Sequence, residues 1–259
     1  MLYNFFRIVS LTATLAIALL SLSASLPASA AQNAPANPFS FTPFASESTQ
    51  TLFNKLSHAA PLANPKVISL ALSALDCALA QGMSSARNLT VIDYSLVSTK
   101  PRLWVFDLVT DKLLFQELVA HGMNTGKNFA RNFSNTNGSH QTSLGLFLTK
   151  ETYVGANGYS LRMEGLENGF NDNAMERAIV FHGADYVNLD LAKKLGHLGR
   201  SHGCPAVRRG IARKVIDTIK GEQFLFSYYP DQHWLTQSQF LNCASSQQWA
   251  NNERRSNTH

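Results

Sequence analysis

Cysteine is scarce in this chain: three in 259 residues, at positions 77, 204 and 243. An odd count in an exported protein lets two pair and leaves one thiol over. Cys77 and Cys243 are the candidates for a structural bridge, with Cys204 then free. The alternative leaves Cys77 as a buried helix residue and Cys243 as an exposed tail thiol. Charge is also thin, at 15% of residues, and the net +5 is spread through interspersed acidic and basic positions. No concentrated basic footprint exists, which argues against nucleic acid as a partner. The mild positive excess suits an anionic polymer outside the cytoplasm. Long apolar runs are missing everywhere except the first 30 residues, and no internal repeat is found. With that segment removed, the chain is expected to be soluble, with no stable membrane insertion.

Residues 1–30 read as a signal peptide. Arg7 is the positive flank, Ile8 to Leu26 the apolar stretch diluted by Ser and Thr, and Ala28-Ser29-Ala30 a small-residue cleavage site. A single membrane anchor is the competing reading, disfavoured by the polar dilution. Residues 31–47 lack periodicity and read as a flexible leader. Residues 48–84 hold two helices, one near Ser48 to Ala60 and one opening at Asn64-Pro65, where Asn caps and Pro fits the first turn. The second helix carries Ile68, Ala71, Leu72, Leu75 and Leu79 on one stripe and stops at Gly82. The pair is expected to cover the domain that follows.

From Leu89 the pattern turns to strands. Arg102 to Val109 and Leu113 to Ala120 flank a hairpin signal at Thr110-Asp111-Lys112. Asn124 to Ser143 is polar throughout and reads as a long surface loop, a length that is often functional. Leu144 to Tyr153, Tyr159 to Leu166, Arg177 to His182 and Gln223 to Tyr229 read as further strands. Asn188 to Leu195 and Gly210 to Lys220 read as helices. A mainly β domain over residues 85–241 follows, with N-terminal helices, short additional helices and a polar tail at 242–259.

The chemistry concentrates in Ser201-His202-Gly203-Cys204 and in His182-Gly183. A thiolate is the attacking form of cysteine, and an imidazole within reach can take the thiol proton. Gly199 and Gly203 give the backbone freedom to bend, so Cys204 is expected to be presented to solvent. The amides of Gly203 and Cys204 could then hold an oxyanion. His202 lies two positions from Cys204, so an extended segment would put both on one face. His182 alone would equally suit a satisfied core histidine. A metal set of His182, His202, Cys204 and His197 is a further reading, weakened by loose spacing and the lack of a supporting carboxylate. Arg200 and Arg208, with Ser201, are candidates to bind substrate carboxylates. His121, His140 and His233 read as surface or structural.

At these residues the chain resembles the murein L,D-transpeptidase family with the YkuD-type catalytic domain. Its hallmark is His-Gly, a gap of up to about twenty residues, then Ser/Thr-His-Gly-Cys. More narrowly it is similar to the subgroup carrying Gly-Arg-Ser-x-Gly-Cys-Pro-Ala, found here as Gly199 to Ala206. Arg102 to Leu108, Ala120-His121-Gly122, Phe133-Ser134-Asn135, Ser143-Leu144-Gly145 and Tyr159 to Arg162 are similar too. The resemblance implies a β-sandwich-like domain, peptidoglycan stem peptides as substrate, no metal or organic cofactor, and a place in the periplasm or cell envelope of a bacterium. It implies Cys204 as nucleophile, His182 as base, the Gly183 carbonyl as orienting group, and Gly203 and Cys204 amides as oxyanion hole, with His202 in support. Ala206 stands where most of the wider family has Arg, which leaves substrate anchoring to Arg200 or Arg208. The reaction implied is acyl transfer through a thioester to an amine. An L,D-carboxypeptidase using water, or a non-catalytic wall-binding protein, are the alternatives.

Overall fold

The computed structural model describes residues 49–83 and 86–243. The expected signal segment, the leader and all of the tail beyond Cys243 lie outside the described residues. The chain divides after Pro38 into two units, the first of which lies wholly outside them. No helix among the described residues is long and apolar enough to cross a membrane.

Eight strands form one mixed sheet: β1 (Asn88–Asp93), β2 (Leu103–Asp107), β3 (Lys112–Glu117), β4 (Gly145–Gly155), β5 (Gly158–Gly165), β6 (Val180–Ala184), β7 (Ala206–Arg208) and β8 (Phe224–Tyr228). Their spatial order is β3-β2-β1-β8-β4-β5-β6-β7. Bridges from Ala120 to Ala206 and from Gly122 to Ser201 join the chain leaving β3 to the β7 edge, so the sheet curls nearly to a barrel. The expected mainly β, sandwich-like domain is thus realised as one continuous sheet. Closure matters because it leaves few strand-edge groups unpaired.

The central strands are buried on both faces, and alternation divides their side chains between two cores. Leu89 and Val91, Trp104 and Phe106, and Phe224 and Phe226 face one core with helices α1 (Thr49–Ala59) and α2 (Pro65–Ala80). Ile92, Leu103, Val105, Phe147 and Leu225 face the other, closed by Val215, Ile216 and Ile219 of α4 (Arg209–Ile219). Each such side chain contributes about 1.5–3 kcal/mol on burial. The N-terminal helices therefore share a core with the sheet and cover it.

Local signals set the element ends. Asn64 Oδ1 accepts from the Lys66 N–H at 3.0 Å, and Gly82 has φ +77° just past α2. Asn188 caps the short α3 (Leu189–Leu195), which ends on Gly196 at φ +74°. Two elements were not anticipated. The three-residue β7 runs straight into α4, too short to show a period. Helix α5 (Gln232–Gln237) is capped by Asp231 and buries Trp234. The strand expected from Arg177 starts at Val180, because Ala178 adopts φ +52° and breaks extended backbone.

Cys77 on α2 and Cys243 beyond α5 form a disulfide, their Cα atoms 6.2 Å apart and 166 residues apart in sequence. Cys204 is the free thiol. A cross-link closing so long a loop restricts the unfolded chain strongly. A Cys77→Ser/Cys243→Ser variant is expected to lose about 2–5 kcal/mol of stability. Urea unfolding of the oxidised parent and the variant checks this, and equal midpoints would count against it.

Candidate active site

Cys204 follows a tight turn and precedes β7. Ser201 Oγ donates to the Cys204 carbonyl at 2.6 Å and accepts from the Gly203 N–H at 3.1 Å, closing the turn on itself. Gly203 has φ +121°, and a Cβ there would lie 2.8 Å from the Gln141 carbonyl oxygen and 2.9 Å from Ile179. Both the backbone angle and the space demand glycine.

The polar segment 124–143 is no free surface loop. Thr125, Ala130, Thr142 and Ser143 are buried, and the segment folds against the cysteine turn. Thr142 Oγ1 accepts from the Gly122 N–H at 3.0 Å and donates to the Gly203 carbonyl at 3.1 Å. Ser201 is held from the same side: its N–H donates to the His121 carbonyl and its own carbonyl accepts from Met123. The turn is therefore fixed by residues up to 80 positions away.

That bracing buries the sulfur. Cys204 is 8% exposed and packs in the inner core, where the sequence suggested a thiol open to solvent. The Val180 N–H donates to Sγ at 3.4 Å, and Sγ donates to the Ala178 carbonyl at 3.7 Å. Burial pushes the thiol above its ordinary 9.0, opposed by the Val180 amide, the Arg177 charge and the Cys204 amide. The resting form is the neutral thiol.

His182 is the third residue of five in β6, not at the strand end, and is 2% exposed. It pairs in register with Ala206 on parallel β7, two residues after Cys204. No hydrogen bond joins ring and thiol. His182 Nδ1 lies 3.1 Å from the Gly183 carbonyl, which can only accept, so Nδ1 carries the proton and Nε2 is left basic. Burial lowers the imidazole below its ordinary 6.5; the Gly183 bond opposes this and Arg209 adds to it. Gly183 permits close packing, since a Cβ would sit 2.6 Å from Ala212 of α4.

The remaining candidates are placed differently from one another. His202 is exposed and stacks on His140 at 4.3 Å between ring centroids, so it does not share the buried face of Cys204. Arg200 donates through Nη1 to the Met123 and Gly126 carbonyls at 3.0 and 3.1 Å. Arg208 forms a two-pronged pair with Glu117, at 2.8 and 2.7 Å. Ser201 is spent on the turn. The Ser201 hydroxyl hydrogen is committed to the turn, whereas Arg208 keeps Nη1 outside its pair with Glu117. Ala206 is fully buried in a cluster with Leu118, Ala120, Ala184 and Leu198. His197 turns Nδ1 to the Leu198 carbonyl. Among the described residues no three His, Cys, Asp or Glu side chains converge to hold a metal ion.

Two supporting residues escaped sequence reasoning. Arg177 is the charged side chain that bears on the thiol. Arg102 is wholly buried, and it braces His121 on the inner side of the turn. Nothing local marks either, although Arg102 opens a segment with family likeness.

The family model of the L,D-transpeptidase catalytic domain matches residues 59–228. That range is well over half of the chain, and the protein belongs to this family. No curated protein matches the sequence. Solved structures with likeness include an L,D-transpeptidase from Mycobacterium smegmatis, 13% identical with a TM-score of 0.35, the match covering 56% of this chain and 60% of that one. An L,D-transpeptidase from Stackebrandtia nassauensis is 11% identical with a TM-score of 0.32, covering 68% and 76%. One from Xylanimonas cellulosilytica is 15% identical with a TM-score of 0.32, covering 67% and 77%.

Proposed function

We propose that the protein is a cysteine-dependent peptidoglycan L,D-transpeptidase of the bacterial envelope, organised as an exported catalytic domain at 85–241 with the 48–84 helices as its cover. The observation that carries this reading is one free thiol two residues before β7, whose Ala206 pairs with His182 on the adjacent parallel strand β6, with the imidazole's Nδ1 fixed by Gly183. Family membership supplies the substrate class. The disulfide suits an oxidising compartment.

His182 Nε2 takes the Cys204 proton as the sulfur attacks the carbonyl after the L-centre of a diaminopimelate residue in a stem tetrapeptide. The tetrahedral oxyanion takes a hydrogen bond from the Cys204 amide. The Gly203 N–H joins it when its bond to Ser201 Oγ is released. Collapse expels the terminal D-amino acid, whose nitrogen receives the proton from His182. The thioester is then attacked by an amine of a second stem, forming the cross-link and freeing the thiol. His202, exposed beside the turn, supports its outer side. Arg200 and Arg208 are the candidates for a substrate carboxylate, Arg200 the stronger because, among the described residues, it carries no carboxylate partner such as Glu117.

Incubation with tetrapeptide muropeptides tests the reaction: cross-linked dimers are expected. Tripeptides without dimers would replace the proposal by a carboxypeptidase. A carbapenem should add once, on Cys204, by mass; a wild-type protein that forms neither adduct nor product is a wall-binding protein.

The two protonation states predict the pH profile. As pH falls through the lowered value of His182, the ring protonates and cannot accept the thiol proton, so kcat/KM falls. The acid limb is therefore expected below pH 6.5. An acid limb above it would contradict the assignment of base.

A further inference from the structure

The half-buried Arg177 guanidinium has no carboxylate partner among the described residues. Its Nη1 donates to the Ser134 carbonyl at 2.7 Å and to Ser143 Oγ; its Nη2 donates to Ser139 Oγ at 3.1 Å and to the Gln141 carbonyl at 2.7 Å. All four are neutral acceptors, so the terminal hydrogens are used and no carboxylate balances the charge. Nε is buried and without a partner among the described residues. A partly desolvated cation held only by neutral acceptors favours a nearby negative charge.

The next residues in the chain reach the nucleophile. Ala178, at φ +52°, turns its carbonyl to the Cys204 sulfur, and the Val180 N–H points at the same atom. From the other side, the Gln141 carbonyl that Arg177 grips lies against Gly203, one residue before Cys204. Arg177 thus fastens the 134–143 segment to the cysteine turn and brings its charge there.

We infer that Arg177 is a positioning residue for the nucleophile, stabilising negative charge on the Cys204 sulfur while clamping the 134–143 segment over it. This rests on Cys204 being the nucleophile. The other titratable groups in this region are Tyr94 just beyond β1, Tyr186 beyond β6, and His182 on β6. Burial raises both tyrosines and lowers the histidine, so all three are neutral near pH 7. Arg177 is the cation among them, and it opposes the upward push of burial on the thiol.

The test is the pH dependence of Cys204 alkylation by iodoacetamide in the full, disulfide-bonded chain, read by mass. It needs no substrate. In Arg177→Gln the alkylation midpoint is expected to rise by about one pH unit, the low end for loss of a nearby opposite charge. Arg177→Lys, which keeps the charge and loses the fork, should stay near wild type in midpoint while losing thermal stability. A folded Arg177→Gln with an unmoved midpoint overturns the inference. If Arg177→Gln does not fold, Arg177→Lys decides alone: a rise of a full unit there shows that the clamp, not the charge, sets the thiol, and also overturns it. A shifted midpoint in a protein that makes no cross-links would sink the transpeptidase reading and leave this one standing.

Discussion

Cys204→Ala is expected to abolish both cross-linked product and carbapenem adduct while unfolding at nearly the wild-type midpoint. The substitution removes one buried atom and two weak hydrogen bonds, to the Val180 amide and the Ala178 carbonyl, so the loss of packing is small. His182→Ala should lower kcat/KM by about 10²–10⁴-fold, the range for a positioned base. Because base and nucleophile act as one unit, adding His182→Ala to Cys204→Ala should cost nothing further. Product analysis by mass spectrometry reads all three variants. Residual cross-linking above background in Cys204→Ala would remove the thiol from the mechanism. Full activity in His182→Ala would assign the proton to another group, with exposed His202 the next candidate.

The second large effect is expected on stability, at Arg102→Leu. This guanidinium is fully buried; Nε and Nη2 donate to the Val119 carbonyl at 3.1 and 2.9 Å, and Nη1 to the Leu96 carbonyl at 2.9 Å. Nη2 also donates to His121 Nδ1 at 2.7 Å, and Cζ lies 4.9 Å from the Tyr94 ring centre. Since arginine can only donate, His121 is neutral, with its Nε2–H turned to the Gly126 carbonyl. Burial and the adjacent cation hold His121 down to about 3. A leucine leaves two carbonyls and a ring nitrogen unsatisfied, each costing about 1–3 kcal/mol. The expected loss is about 3–5 kcal/mol, a large share of a domain's total. Urea unfolding reads it, and a loss under about 1 kcal/mol would refute this account. The effect should extend to catalysis, because the His121 carbonyl holds the Ser201 N–H at the head of the turn.

Local information suffices for the helix ends and the first hairpin. Asn64-Pro65 and Gly82 bound the second helix, and the stripe Ile68, Leu72, Leu75 lies in the core as its spacing requires. The hairpin at Thr110 to Lys112 forms, with Asp111 at φ +56°. Errors arose where distant contacts override local preference. Segment 124–143 looks solvated by composition, yet Thr125 and Thr142 are buried because their hydroxyls are bonded to the backbone of the cysteine turn and of the segment itself. Glycines around Cys204 suggested exposure; they instead let Gln141 and Ile179 close over it. Arg208 looked available until Glu117, 91 positions earlier, supplied its partner.

The chain alone, through the His182-Gly183 and Ser201-to-Cys204 motifs and the strand and helix periods, determined the family. Those features depend on residue identity and short spacing, which a linear sequence records in full. Tertiary structure alone decided that the thiol rests buried and protonated, that Ser201 and Arg208 are already engaged, and that Arg177 grips the segment packed against the cysteine turn. Charge balance and desolvation depend on which groups meet in space, and here those groups come from strands and loops that the sequence keeps tens of residues apart.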